Sequence, residues 1–278
     1  MNALAHKIPL EFQAPKAPQL QAANDSYGEV MVGGITTACV SRDGLMQMML
    51  LDCLEARANP GTHPKLVFAT NGHAIAMAAQ DEAFRFTFNQ ADIIHADGQA
   101  AVFASRLLTK TPIPERSATT DMIHDAAHVA VQHGLRFYLL GATEEANALA
   151  AQKLTEMYPG IQIVGRHHGY FSEMDEDELC DAINLSLPDV IWVGLSVPRE
   201  YEFAVRNKTR LNAGWLVTCG GCFNFVTGAY KRAPQWMQAL GLEWLFRLMR
   251  EPRRLFWRYA VTNPIAIFLL LTRTTPSP

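Results

Sequence analysis

The chain lacks most of the marks of a secreted, nucleic-acid-binding or dinucleotide-dependent protein. Its five cysteines, Cys39, Cys53, Cys180, Cys219 and Cys222, are odd in number and mostly scattered through 278 residues. A disulfide framework needs pairs, so this usage points to a reducing compartment. Neither GxGxxG nor GxxxxGK[ST] occurs, which argues against a dinucleotide enzyme and a P-loop NTPase. The formal net charge is only −3, without the basic excess of a dedicated nucleic-acid binder, so no nucleic-acid partner is expected. There is no internal repeat and no low-complexity block. The apolar run Ile265–Leu271 falls well short of the ~20 residues a membrane span needs. Residues 1–26 show no signal peptide: Lys7 and Lys16 flank no long apolar run, and Pro9, Pro15 and Pro18 keep the segment irregular. Residues 1–28 are expected to form a flexible tail, and the protein to be cytoplasmic.

What is present is alternation. Short apolar runs at Val30–Ile35, Lys65–Ala69, Asp92–His95, Arg136–Leu140, Ile161–Gly165, Val190–Gly194 and Trp215–Thr218 read as strands. Helical periodicity fills roughly 41–57, 98–108, 120–133, 143–157, 175–186 and 198–208. Ser172 with Asp175 has the spacing of a capping box. Strands alternating with helices predict an α/β fold: a mostly parallel sheet with helices on both faces. Such a sheet places its ligand at the carboxyl ends of the strands, where strand order reverses. The positions to watch are therefore Thr70-Asn71-Gly72-His73, Asp97-Gly98, Gly141-Ala142-Thr143, His167-His168-Gly169, Gly194-Leu195-Ser196 and Cys219-Gly220-Gly221.

Positive charge gathers near the end of the chain. Between Tyr230 and Tyr259, Lys231, Arg232, Arg247, Arg250, Arg253, Arg254 and Arg258 face only Glu243 and Glu251. Arginines set among Trp236, Trp244, Phe246, Phe256 and Trp257 suit a phosphorylated ligand beside an apolar surface. Arg254 and Arg258 lie one turn apart on a helix that Pro252 can start. Asn263-Pro264 interrupts the apolar stretch that follows, so the end reads as an interfacial membrane anchor. A homo-oligomer interface is the competing explanation.

These features come together in a resemblance. Asp97-Gly98 after an apolar strand, Pro114-Glu115-Arg116, His168-Gly169-Tyr170-Phe171 and Gly220-Gly221-x-Phe223 occur in that order. Lys231-Arg232-Ala233-Pro234, Trp236-Met237, Gly241-Leu242-Glu243-Trp244, Arg247 and Glu251-Pro252-Arg253-Arg254 follow them. Over about residues 30–260 the chain is similar to the WecG/TagA/CpsF glycosyltransferases, glycosyltransferase family 26. The resemblance implies a Rossmann-like core, 29–229, and a helical membrane-associating appendage, 230–278, that completes the active site. It implies inverting transfer from a UDP-sugar to a polyprenyl-diphosphate-linked saccharide at the cytoplasmic membrane leaflet, in cell-surface polysaccharide synthesis. No metal and no cofactor are implied.

Carried over residue by residue, the resemblance makes Asp97 the general base. Asn71 and Arg116 match site positions, Gly220 and Gly221 help to seat the donor, and Arg247, Arg254 and Arg258 correspond to appendage arginines. Three positions depart from the family's pattern. Ala69 stands where threonine is frequent, with Thr70 beside it; Glu200 stands where a site glutamine is usual; and Asn224 replaces aspartate in Gly220-Gly221-Cys222-Phe223-Asn224-Phe225. Thr70 and Glu200 are still expected among the substrate-binding residues. The donor sugar is left open among N-acetylmannosamine, its uronic acid and glucose. A non-catalytic saccharide- or partner-binding module on the same fold is the alternative reading. Without the resemblance, Asp97 reads as a helix N-cap. His73 and His95 read as satisfied supporting histidines, His167 and His168 as diverging loop residues, and Cys219 and Cys222 as unpaired thiols.

Overall fold

The computed structural model describes residues 27–276. All of the expected N-terminal tail except Tyr27 and Gly28 lies outside the described residues, and Gly28 already begins a strand. The run expected as one strand at Val30–Ile35 is instead a hairpin of β1 (Gly28–Val32) and β2 (Ile35–Cys39). Gly33 and Gly34, at φ +60° and +88°, form its two-residue turn. Both positions need positive φ, and glycine adopts it without a Cβ clash.

Helix α1 (Arg42–Ala58) leads to β3 (Lys65–Thr70). Two helices that the periodicity left unassigned follow, α2 (Gly72–Gln80) and α3 (Glu82–Phe88). Their caps were the available signal. The Asn71 side chain accepts from the N–H groups of His73 and Ala74, and that of Asp81 accepts from Phe84. The chain continues through β4 (Ile93–Ala96), α4 (Gln99–Leu108), α5 (Thr119–His133), β5 (Arg136–Gly141), α6 (Glu144–Met157) and β6 (Gln162–His167). The expected capping box at Ser172 and Asp175 opens a short 3-10 turn that runs into α7 (Glu176–Leu185). Then come β7 (Val190–Gly194), α8 (Arg199–Asn207), β8 (Trp215–Thr218) and α9 (Cys222–Val226).

The main sheet is parallel, in the order β4-β3-β8-β7-β5-β6. Its side chains alternate between two cores. Val67, Trp192, Trp215 and Val217 pack with α1, α5, α6 and α9, whereas Leu66, Phe68, Ile191 and Leu216 pack with α2, α3, α7 and α8. Burial on both faces explains why these strands are continuously apolar. The neighbours β3 and β8 send their following helices, α2 and α9, to opposite faces, so the crevice that such a switch point provides falls between their carboxyl ends.

The last segment forms α10 (Gln235–Ala239), α11 (Glu243–Arg250) and α12 (Pro252–Thr272). Asn263-Pro264, which interrupts the apolar stretch in the sequence, does not end the helix: α12 runs through Pro264. The helix gives up one backbone hydrogen bond there, and packing of Ala266, Leu269 and Leu270 against the core holds it together. Its Ala266 lies against Gly72 of α2. By length and composition α12 could cross a membrane, yet a third of its most apolar stretch (33%) is buried against the rest of the protein. The chain then returns as β9 (Thr275–Pro276), which pairs antiparallel with β1.

At the amino ends of the central strands Asp189, only 2% exposed, is held by Arg57 at 2.6 Å and by Arg136 at 3.2 Å. Burial alone would raise its pKa, but hydrogen bonds from the two arginines outweigh that and hold it below the usual carboxylate range. Asp189→Ala leaves two guanidinium groups without their shared partner, a loss of about 3–5 kcal/mol. Thermal unfolding should move down on the order of 10 °C.

Candidate active site

Four strand ends meet around the crevice. Asp97 follows β4 and is half-buried. It does not cap α4, whose N-cap Gly98 has no side-chain bond. Its Oδ1 instead accepts from the N–H of Thr119, the first residue of α5, at 3.0 Å. Oδ2 accepts from Asn71 Nδ2 at 3.3 Å. Asn71 therefore has two jobs: Oδ1 caps α2, which fixes the amide so that Nδ2 faces Asp97. Thr70, the last residue of β3, is wholly buried with its hydroxyl unpartnered, so its side chain lies beneath the crevice rather than in it.

Arg116 joins this group from the loop before α5. Its Nε donates to the Asp97 carbonyl at 2.6 Å, and its Nη2 lies 2.7 Å from Glu243 Oε2 on α11. Glu243 Oε1 in turn accepts from Arg232 Nε at 3.0 Å. The other nitrogens of Arg232 reach Thr120 Oγ1, both oxygens of Asp121, and Gln238. Burial works against ionising Asp121, but Arg232 dominates and lowers its pKa. Arg232 and Glu243 were not among the expected site residues. The excess of cations over anions in this stretch concealed that Arg232 belongs to the docking contact.

The other appendage arginines stand on both lips of the crevice. Arg247 lies over the Phe225 ring at 5.6 Å, and Arg254 over the Tyr230 ring at 5.9 Å. Tyr230 borders Gly221. On the α2 side, Arg258 together with burial pushes His73 down to about 4; desolvation is the larger cause. Arg254 is paired with Glu251. Among the described residues, Arg247 and Arg258 form no salt bridge, and Arg258 Nε is buried without a hydrogen-bond partner. No hydrogen bond or ion pair links these three arginines to Asp97.

Glu200, on α8, is 3% exposed. Its Oε2 accepts from the N–H of Gly220 at 2.9 Å, and backbone N–H groups of Ser196 and Leu195 also favour its charged form. Desolvation is stronger than these three together and raises it to about 8. Glu200 therefore binds the loop after β7 to the turn after β8, where Gly220 takes φ +51°. It does not face solvent.

The remaining expectations divide. His95 Nδ1 bonds Ser117 Oγ at 3.1 Å, but its Nε2 has no partner, so the histidine is only half satisfied. His167 and His168 do not diverge: β6 ends at His167, and the two rings lie 4.5 Å apart, each bonded to loop backbone. Cys219 and Cys222 are free and buried, and burial pushes the Cys219 thiol well up. Such thiols are poor nucleophiles. The chain contains one Asp-x-Asp triplet, Asp175-Glu176-Asp177. Its side chains cap Ser172, bind Arg206 with Asn207, and pair with Arg210, respectively. Among the described residues no group of three or more His, Cys, Asp and Glu could hold a metal ion.

The arrangement offers one carboxylate fixed from two sides, with guanidinium groups on a docked helical segment above it. Residues 30–277 match the Glycosyl transferase WecG/TagA/CpsF family. The chain belongs to this family. Among family relatives, proteins from Staphylococcus aureus strains MRSA252, MW2 and NCTC 8325 are each 29% identical over 198 residues, covering 71% of this chain and 77% of theirs. Each carries the name N-acetylglucosaminyldiphosphoundecaprenol N-acetyl-beta-D-mannosaminyltransferase.

The buried Glu200 gives a pH test. Its folded-state pKa of about 8 lies above the ordinary glutamate value of 4.5. The folded state therefore keeps a proton that the unfolded chain releases, and stability falls as pH rises from about 4.5 through about 8. Glu200→Gln removes this loss. Melting temperature of the variant relative to wild type should rise steadily across that window.

Proposed function

We propose that the chain transfers a sugar, with inversion, from a UDP-sugar to a polyprenyl-diphosphate-linked saccharide. Asp97 accepts the proton of the acceptor hydroxyl as that oxygen attacks the anomeric carbon. Asn71 and the first turn of α5 aim the carboxylate. The bond to the departing UDP breaks as the new glycosidic bond forms, and the diphosphate takes up negative charge. Arg247 and Arg258 neutralise that charge, with Arg254 and the Gly220-Gly221 turn beside them. Guanidinium forks can bind phosphate oxygens in a bidentate way, which is why no metal is invoked.

The observation that carries this reading is that, among the described residues, Arg247 and Arg258 have no salt-bridge partner, one near α9 and the other near α2, on either side of a well-oriented aspartate. The names of the Staphylococcus aureus relatives make N-acetylmannosamine the first donor to test, and N-acetylglucosaminyl-diphospho-polyprenol the first acceptor. The uronic acid and glucose donors complete the panel. A peripheral position on the cytoplasmic leaflet fits α12, which exposes Phe256, Trp257, Val261, Ile267, Phe268 and Leu271.

Purified protein, a short-chain acceptor and the donor panel are assayed by mass spectrometry of the lipid-linked product. Asp97→Asn should lower kcat by about 100-fold or more, with UDP-sugar binding by calorimetry retained. Near-normal turnover would remove Asp97 as the base. Arg247→Ala should weaken UDP binding roughly tenfold or more, since a hydrogen bond to a charged group is lost, and activity should fall with it.

A further inference from the structure

Among the described residues, Glu243 is the one whose side chain forms salt bridges with both Arg116 and Arg232, the arginines reaching toward Asp97 and the start of α5. Its two oxygens are divided between Nη2 of Arg116, at 2.7 Å, and Nε of Arg232, at 3.0 Å. It lies on the appendage, and both guanidinium groups then reach the core. Arg116 ends on the carbonyl of Asp97. Arg232 ends on Thr120 and Asp121, the residues directly after Thr119, whose N–H holds Asp97 Oδ1. One carboxylate therefore fixes the base along two routes, through its own backbone and through the helix start that binds its side chain.

The participants are shielded from solvent: Glu243 is 15% exposed and Arg116 16%. Glu243 Oε1 accepts a charge-assisted hydrogen bond from Arg232 Nε, whereas its contact with Arg116 is a close ion pair that leaves Oε2 without a hydrogen-bond partner among the described residues. Both attractions are screened less at such depth than surface pairs are. Arg116 has a second consequence. Its guanidinium is already engaged at both Nε and Nη2, so in this arrangement it serves the orientation of Asp97 first.

We propose that Glu243 is a positioning residue that couples docking of the appendage to the placement of Asp97, acting through Arg116 and Arg232. This rests on the reading of Asp97 as the base, which Asp97→Asn tests by itself. A base displaced by a fraction of an ångström loses turnover while the donor continues to bind. The test uses the full chain, with kcat, donor KM and protease cleavage within 228–242 measured for Glu243→Gln, Arg116→Lys and the double variant. Arg116→Lys keeps a cation but cannot hold the Asp97 carbonyl and Glu243 with one planar fork.

Glu243→Gln should lower kcat roughly tenfold or more, move donor KM less than about threefold, and leave the appendage protected from protease. Because the two side chains act as one unit, the double variant should be no slower than the slower single variant. Unchanged kcat in Glu243→Gln would overturn the proposal, as would losses that multiply in the double variant. An appendage that opens to protease, with kcat and KM failing together, would make Glu243 a docking contact only and also overturn it. If Asp97→Asn retained turnover while the Glu243 pattern appeared, the base assignment would fail and the coupling would stand.

Discussion

The whole architecture depends on how the appendage divides its positive charge. A half-buried guanidinium is costly unless an anion, an aromatic face or water compensates it. Arg232 is compensated in full by Asp121, Glu243 and Gln238, and Arg254 by Glu251. Arg247 and Arg258 have ring faces and, among the described residues, no salt bridge, only a longer-range attraction to Glu251. Arg232 spends its charge on holding the segment against the core, and Arg254 spends part of its own on a local pair within the appendage. Arg247 and Arg258 keep their charge for something the protein does not itself supply. A stretch that reads in sequence as one basic patch is thus two sets of residues with opposite electrostatic fates.

The α/β alternation was legible because parallel strands buried on both faces are continuously apolar, and Val190–Gly194 and Trp215–Thr218 show it plainly. Local geometry was harder to read. The Gly33-Gly34 turn split one apolar run into two strands, since a two-residue reversal interrupts hydrophobicity very little. The short, alanine-rich α2 has almost no polar face to set its period, and only the Asn71 cap marks it. Asn263-Pro264 interrupts the apolar run in the sequence, yet tertiary packing carries α12 through it.

Within the site, sequence order placed Asp97 and Asn71 at neighbouring strand ends, and they do meet. What the sequence could not convey was side-chain economy. Asn71 binds with both ends of its amide, Arg116 with two of its nitrogens, and Glu243 with both oxygens. These are three-dimensional facts about residues up to 127 positions apart, from Arg116 to Glu243. Glu200 shows the reverse case. Its position in the chain marked it for the site, yet its burial assigns it to the scaffold that shapes Gly220.

The appendage is fastened at both of its ends. At one end Arg232 grips the start of α5; at the other, β9 adds itself to β1, and Gly34 donates to the Arg273 carbonyl at 2.9 Å. A strap buckled twice cannot swing like a door with one free edge. Any widening of the crevice must come from sliding of α12 along α2, or from unzipping a two-residue ribbon at the far margin of the molecule. Traffic into the crevice is thereby coupled to an edge strand on the amino-terminal hairpin.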